Sequence, residues 1–193
     1  MCSAIDDNRR PMPSLNHSRP RAGRGFTLIE LMVTVALLAI GLALGTPYIR
    51  DAVMNVRMTG QANDLLADLA LARSEAVKRN ANVDVLPAGG GSNWAVGWEV
   101  KSGTTVLSTQ DGYSSVTFTT KDASYTTALA TTKITFSGTG RASTTSSPAS
   151  SSIAFILTSP ATLGTWARCV VLDPSGRPAV RSDNDGNDAN GCN

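Results

Sequence analysis

The sequence predicts an α+β chain in which one long N-terminal helix, with a transmembrane half and an amphipathic half, packs on a small antiparallel β body. Three observations carry this. Apolar residues concentrate between Phe26 and Pro47, although the whole chain is only 41% apolar. A helix-period pattern resumes through residues 51–80, and from Asn82 onward short β-type runs alternate with turn residues. With 193 residues the chain has room for about one domain, since domains average roughly 100 to 200 residues. It divides into a polar leader (1–25), a membrane-length run (26–47), a helical continuation (48–80) and a β-rich body (81–193).

The leader is rich in Arg and Pro and has no apolar run, so it forms neither a core nor the apolar centre of an ordinary secretory signal. The run from Phe26 to Pro47 matches the ~20 residues that cross a bilayer as a helix. Arginines on its N-terminal side predict that this end stays cytoplasmic and that the rest of the chain is translocated. The run contains one charge, Glu30. A carboxylate at that depth costs roughly 2.5 to 3.5 kcal/mol on insertion scales, which points to a role. If the chain is cut between Gly25 and Phe26, the freed amine of Phe26 on a neighbouring subunit is a partner for Glu30 in the apolar core of an assembly.

The string Arg24-Gly25-Phe26-Thr27-Leu28-Ile29-Glu30-Leu31 resembles the prepilin peptidase signal of type IV pilins and type II secretion pseudopilins. The resemblance implies cleavage after Gly25 and methylation of Phe26, and it places the family's assembly glutamate at Glu30 and its helix-breaking proline at Pro47. It further implies a pilin-like fold and two kinds of partner: prepilin peptidase, and other pilins or pseudopilins met through the N-terminal helix. The expected location is the inner membrane, crossed once with the body periplasmic, and then a pilus or pseudopilus.

Beyond Pro47, Val53, Val56, Leu65, Leu66, Leu69, Ala72, Ala76 and Val77 recur at helical spacing, and Asp64, Asp68, Arg73, Glu75, Lys78 and Arg79 read as a solvated face. Unbroken from residue 26 to residue 80, the helix would be about 80 Å long, a length suited to an elongated assembly. Pro47 and the glycines at 41, 45 and 60 are places for it to bend. The segment ending Leu71-Ala-Arg-Ser-Glu-Ala-Val-Lys-Arg-Asn80 is similar to the end of the long helix in the FimT, FimU and H-pseudopilin (GspH) group.

The expected strands are 83–86, 94–100, 104–108, 116–119, 134–136, 153–157 and 169–172, with Trp94 and Trp98 as core residues. Residues 88–93 and 142–152 read as loops. The Gly89-Gly90-Gly91 run lacks the Lys-Ser/Thr ending of a phosphate loop.

The net charge of +2 is misleading. Of 17 basic residues five lie in the leader, and of 15 acidic residues two do, leaving 12 against 13. The remainder is therefore no globally basic nucleic-acid binder, and any DNA site is a local patch. The only histidine, His17, lies in the leader, which excludes Ser-His-Asp and Cys-His groupings from the rest. No enzyme, cofactor or metal site is expected. Cys169 and Cys192 form an even pair in a body expected outside the cytoplasm, and a disulfide is predicted; two thiols without a histidine supply too few ligands for closed zinc.

DNA-uptake members of the FimT group carry a C-terminal Gly-Arg-x-Arg motif. Here Gly176 and Arg177 match it, Ala179 stands in the second arginine's place, and Arg181 follows two residues later, on the same face of a strand. Double-stranded DNA is therefore a candidate partner, with Arg177, Arg181, Arg141 and Arg168 as candidate contacts. The expected function is a minor type IV pilin that helps initiate or cap the filament, with DNA binding as a subsidiary role. The alternative is the H-type minor pseudopilin of a type II secretion system.

Overall fold

The computed structural model describes residues 25–112, 116–122, 124–145, 152–158, 167–183 and 192. They fall into two compact units, Met1–Leu42 and Ala43–Asn193. One helix, α1 (Leu28–Arg79), supplies the described part of the first unit and enters the second. Its start is set by Thr27 and Glu30 at capping-box spacing: the Thr27 hydroxyl accepts the Glu30 backbone N–H at 3.3 Å. Its end is a turn through left-handed Asn80 (φ 48°), with the Ala81 N–H returning to the Ala76 carbonyl at 3.1 Å. Residues 25–42 are all exposed, and the apolar stretch of α1 is long enough to cross a membrane.

In the second unit, α1 buries Met58, Gln61, Ala62, Leu65, Leu69, Ala72 and Ala76, positions three or four apart on one stripe. Full burial of Leu65 or Leu69 stabilises the fold by roughly 1.5 to 3 kcal/mol each. Val56 (71% exposed) and Val77 (52%) lie off this stripe, and Val53 stays 44% exposed. The sequence pattern places them on the apolar face, but every valine of this helix is exposed, and the small residues Ala62, Ala72 and Ala76 mark where the sheets approach.

Among the described residues, nine strands make two antiparallel sheets: β1 (Val83–Pro87), β2 (Gly97–Ser102), β3 (Thr105–Asp111), β4 (Thr117–Asp122), β5 (Ile134–Phe136), β6 (Ala142–Thr144), β7 (Ile153–Thr158), β8 (Ala167–Leu172) and β9 (Pro178–Ser182). The first has order β3-β2-β1-β5-β6 and the second β4-β7-β8-β9. Both contribute alternate residues to one core with α1: Val83, Val85, Trp98, Val100, Ile134 and Phe136 from the first, and Ile153, Phe155, Leu157, Val170 and Leu172 from the second. Aromatic edges tie the layers together, Trp94 against Phe155 at 5.0 Å and Trp98 against Phe118 at 6.0 Å. Strand β7 is buried on both faces, because Ala154, Ile156, Cys169 and Ala167 form a second cluster with Tyr125 and Cys192 on the far side of its sheet. The Cys169–Cys192 disulfide closes there.

Three expectations need correction. Residues 94–96 form a 3-10 turn, not the start of a strand: the Asn93 side chain accepts the Ala95 N–H, the Gly97 N–H bonds back to the Trp94 carbonyl, and β2 begins only at Gly97. Trp94 and Trp98 are nonetheless both buried. Strands β6 and β9 were missed; residues 142–144 had been assigned to a loop, and both segments are too poor in large apolar residues to signal a strand. Residues 146–151 of that loop lie outside the described set. Finally, Asp68 and Arg73 are not simply solvated. Asp68 accepts the Trp98 indole N–H at 2.8 Å and the Ser108 hydroxyl at 2.9 Å, and Arg73 Nε donates to the Gly140 carbonyl at 3.2 Å.

The two sheets also meet at their turns. The β5–β6 turn closes with Gly140 N–H on the Ser137 carbonyl and Ser137 N–H on the Arg141 carbonyl; the β8–β9 turn repeats this with Gly176 on Asp173 and Asp173 on Arg177. The Ala142 N–H donates to the Pro174 carbonyl, joining them. Gly176 (φ 75°) is required here, since a Cβ would fall well inside the van der Waals distance of the Gly140 carbonyl oxygen.

Asp68→Ala leaves a buried indole N–H without its acceptor and is expected to lower unfolding stability in urea by about 2 kcal/mol, whereas Val56→Ala should change it by less than about 0.5 kcal/mol. Gly176→Ala combines left-handed strain with a backbone clash, and a loss of about 2 to 4 kcal/mol is expected in the same assay. Replacing both Cys169 and Cys192 by Ser opens a 23-residue separation and should cost about 3 kcal/mol, read as a lowered denaturation midpoint.

Candidate functional site

The described residues offer two distinct candidate regions. At the N-terminal end, Gly25 and Phe26 precede the first helical turn, and Phe26 is 84% exposed, so the peptide bond between them lies open. Glu30 follows in the first turn of α1, exposed among apolar side chains. It is the only charged residue between Phe26 and Leu42, and no ion pair within the described residues holds it. As an acid in the first helical turn, beside the capping Thr27, it complements the positive end of the helix dipole. The helix is continuous through position 47.

The second region is basic. Arg141 and Arg177 each follow the glycine of one of the abutting turns, and both are exposed. Arg73 Nε reaches across both turns, 3.2 Å from the place a Cβ on Gly140 would occupy and 3.3 Å from that on Gly176. Beside them runs a shallow groove of about 460 Å³ lined by Ala70, Arg73, Ser74, Val77, Lys78 and Pro178. Lys78 and Arg79 both pair with Glu75, at 3.2 and 2.7 Å. These hydrogen bonds, Arg79 first and Lys78 second, hold the Glu75 carboxyl below its ordinary pKa, and two cations on one carboxylate leave this part of the rim net positive.

The structure separates the four arginines proposed from sequence. Arg177, Ala179 and Arg181 do share an exposed side of the β8–β9 ladder, where Arg181 lies opposite Cys169 and Ala179 opposite Val171. Arg168 points the other way, toward α1: it pairs with Ser182 in register, and its guanidinium donates to Asn55 Oδ1 at 2.8 Å and to the Ala167 carbonyl at 3.0 Å. Half-buried and engaged, Arg168 fastens β8 to the helix rather than facing a ligand. Only the register shows this, since Arg168 and Arg181 lie on different strands and fall on opposite faces because Arg168 pairs with Ser182. The nearness of Arg141 to Arg177 had no sequence signal, being set by a contact between turns 36 residues apart. Among the described residues no group of three or more His, Cys, Asp or Glu could hold a metal ion.

Family models match both the start of α1 and the body. Residues 61–176 match the family model described as type II transport protein GspH, and residues 20–46 match the prokaryotic N-terminal methylation motif. No curated protein sequence matches. Two crystal structures of the type IV minor pilin FimU of Pseudomonas aeruginosa (strain PAO1) resemble the chain. One is 24% identical, with a TM-score of 0.49, over 66% of this chain and 90% of the other. The second crystal form is 23% identical, with a TM-score of 0.47, over 64% and 91%. Arg177 and Arg181 lie just past the matched family region. A body matched over more than half of the chain, preceded by the methylation motif at the start of α1, places the protein in the GspH family of pilin-like type II transport proteins.

Proposed function

We propose that this chain is a minor type IV pilin, cut after Gly25, that enters a pilus through its N-terminal helix and helps initiate or cap the filament. The supporting observation is the arrangement at the start of α1: a scissile Gly25-Phe26 bond open to a peptidase, a membrane-length apolar helix, and one unpaired carboxylate four residues after Phe26. In an apolar assembly core the freed Phe26 amine of one subunit would neutralise Glu30 of its neighbour. Burying either charge alone is costly, so the pair fixes the axial register of incoming subunits. On this reading the body lies in the periplasm before assembly, the role is structural, and no catalysis is involved.

Two further readings have their own support. The matched family model carries the name of a type II transport protein, which favours the H-type pseudopilin of a secretion system. The exposed Arg177 and Arg181 on one side of β9 favour a subsidiary role in holding double-stranded DNA.

Glu30→Ala should be cleaved normally yet fail to enter filaments, with incorporation down about tenfold or more when filament and membrane fractions are compared by immunoblot. Normal incorporation of Glu30→Ala would sink the assembly role. Deletion of the gene separates the machines: loss of surface pili with intact protein secretion supports the minor pilin, and the reverse supports the pseudopilin.

A further inference from the structure

We infer that the outward face of α1 between Val53 and Val77 is a docking seam for an amphipathic helix of another subunit, one whose sequence differs from this chain and sets carboxylates against Arg73 and Lys78. The inference rests on the assembly reading above and goes beyond it. It names a face of the helix within the second unit and the chemistry of its occupant.

The valines left out of the core belong to one line. From Val53 and Val56 it steps by three and four residues in turn, through Gly60, Ala67 and Ala70 to Val77, and every residue on it is exposed. That alternation is the spacing of a helix-pairing seam, about 36 Å long over these residues. No residue on the line is charged, although the helix from Arg50 to Arg79 carries nine charged residues, all of them elsewhere. A face meant for water would carry some of them. Its small side chains let a second backbone come close. The Ser74 hydroxyl, also on the line, is already bonded to the Leu71 carbonyl at 2.8 Å, so it can be covered without losing its acceptor. At its upper end the seam opens into the groove of about 460 Å³, where Ala70, Ser74 and Val77 face Pro178 of β9. The small residues leave there a hollow for larger side chains from an incoming helix.

Charge selects the occupant. Arg73 and Lys78 flank the groove end of the seam on its two sides, five residues apart. A second copy laid alongside in parallel register would bring Arg73 of one chain against Lys78 of the other, since flanking residues five apart meet across such a seam. Like charges there oppose self-pairing, and a chain with Asp or Glu at those places is favoured. The surroundings add to this. Arg79, Arg141 and Arg177 are exposed near the groove as well, and with Glu75 and Asp173 counted as ionised the five cations face two carboxylates. Lower on the seam, Arg57 and Asp64 are of opposite sign and leave no net charge. The apolar line therefore gives the attraction, and the basic end gives the choice of partner.

The test places a photo-crosslinking amino acid at Ala67 or Ala70 of the full chain in the cells that produce it, with Ser143, exposed on β6, as the control position. Crosslinked peptides are sequenced by mass spectrometry, and filament fractions from the same cells are blotted for the chain. The expected product joins the seam to a helix of a different chain that has its own N-terminal methylation motif and an acidic residue beside the crosslink, and Ser143 does not give it. Lys78→Glu should lower its yield about 5-fold and Lys78→Arg should keep it. Ala67→Glu, read with the probe at Ala70, should lower it about tenfold by placing a charge on the seam. Seam crosslinks to a second copy of this chain, or a different-chain product indifferent to Lys78→Glu, overturn the acidic partner. No seam crosslink from a chain that is present in filaments overturns the seam and leaves the assembly reading standing. A cleaved chain that is neither crosslinked nor found in filaments overturns both.

Discussion

A single stripe of side chains on α1, from Met58 to Ala76, holds both sheets, and the rest of the second unit is arranged around it. Ala62, Ala72 and Ala76 let the strands approach closely, while Met58, Leu65 and Leu69 fill the space between Trp98, Phe136 and Phe155. Apolar burial alone would tolerate sliding along such a stripe. Polar contacts set the position. Asp68 clamps Trp98 and Ser108 of the first sheet, while Asn55 and Arg73 take Arg168 and the Gly140 carbonyl. Each half-buried bond contributes only about 0.5 to 3 kcal/mol, but a shift by one helical turn would break all of them at once.

The same helix carries a membrane-length apolar run and Glu30 at its start and packs on the sheets near its end. This division explains the charge pattern. The N-terminal region has one carboxylate and nothing to neutralise it within the described residues; the turns near the C-terminal end of α1 gather Arg73, Arg141 and Arg177.

Much of this was legible in the residues. The apolar run, the single Glu30 after Gly25-Phe26, the switch from period 3.6 to short alternating runs, the buried tryptophans and the cysteine pair each have a local signature. What was not legible depends on contacts distant in sequence. Val56 and Val77 look like core residues until the sheets choose the alanine stripe instead. Asp68 and Arg73 look solvated because their partners lie 30 residues or more away. Strand β9 is hidden by Pro178 and two exposed polar ends, and its pairing with β8 alone separates Arg168 from Arg181. Arg141 and Arg177 come near one another only because two turns from different sheets touch at their glycines.

Intact-mass measurement on the protein recovered from its native cell envelope is the most direct test of the central claim, that this is a processed subunit of a pilin-like filament. The account predicts a mature chain beginning at Phe26, its mass reduced by the 25 leader residues, which include Cys2 and five arginines. Recovery of the chain with the leader still attached, from cells whose other pilin-like proteins are processed, would contradict it.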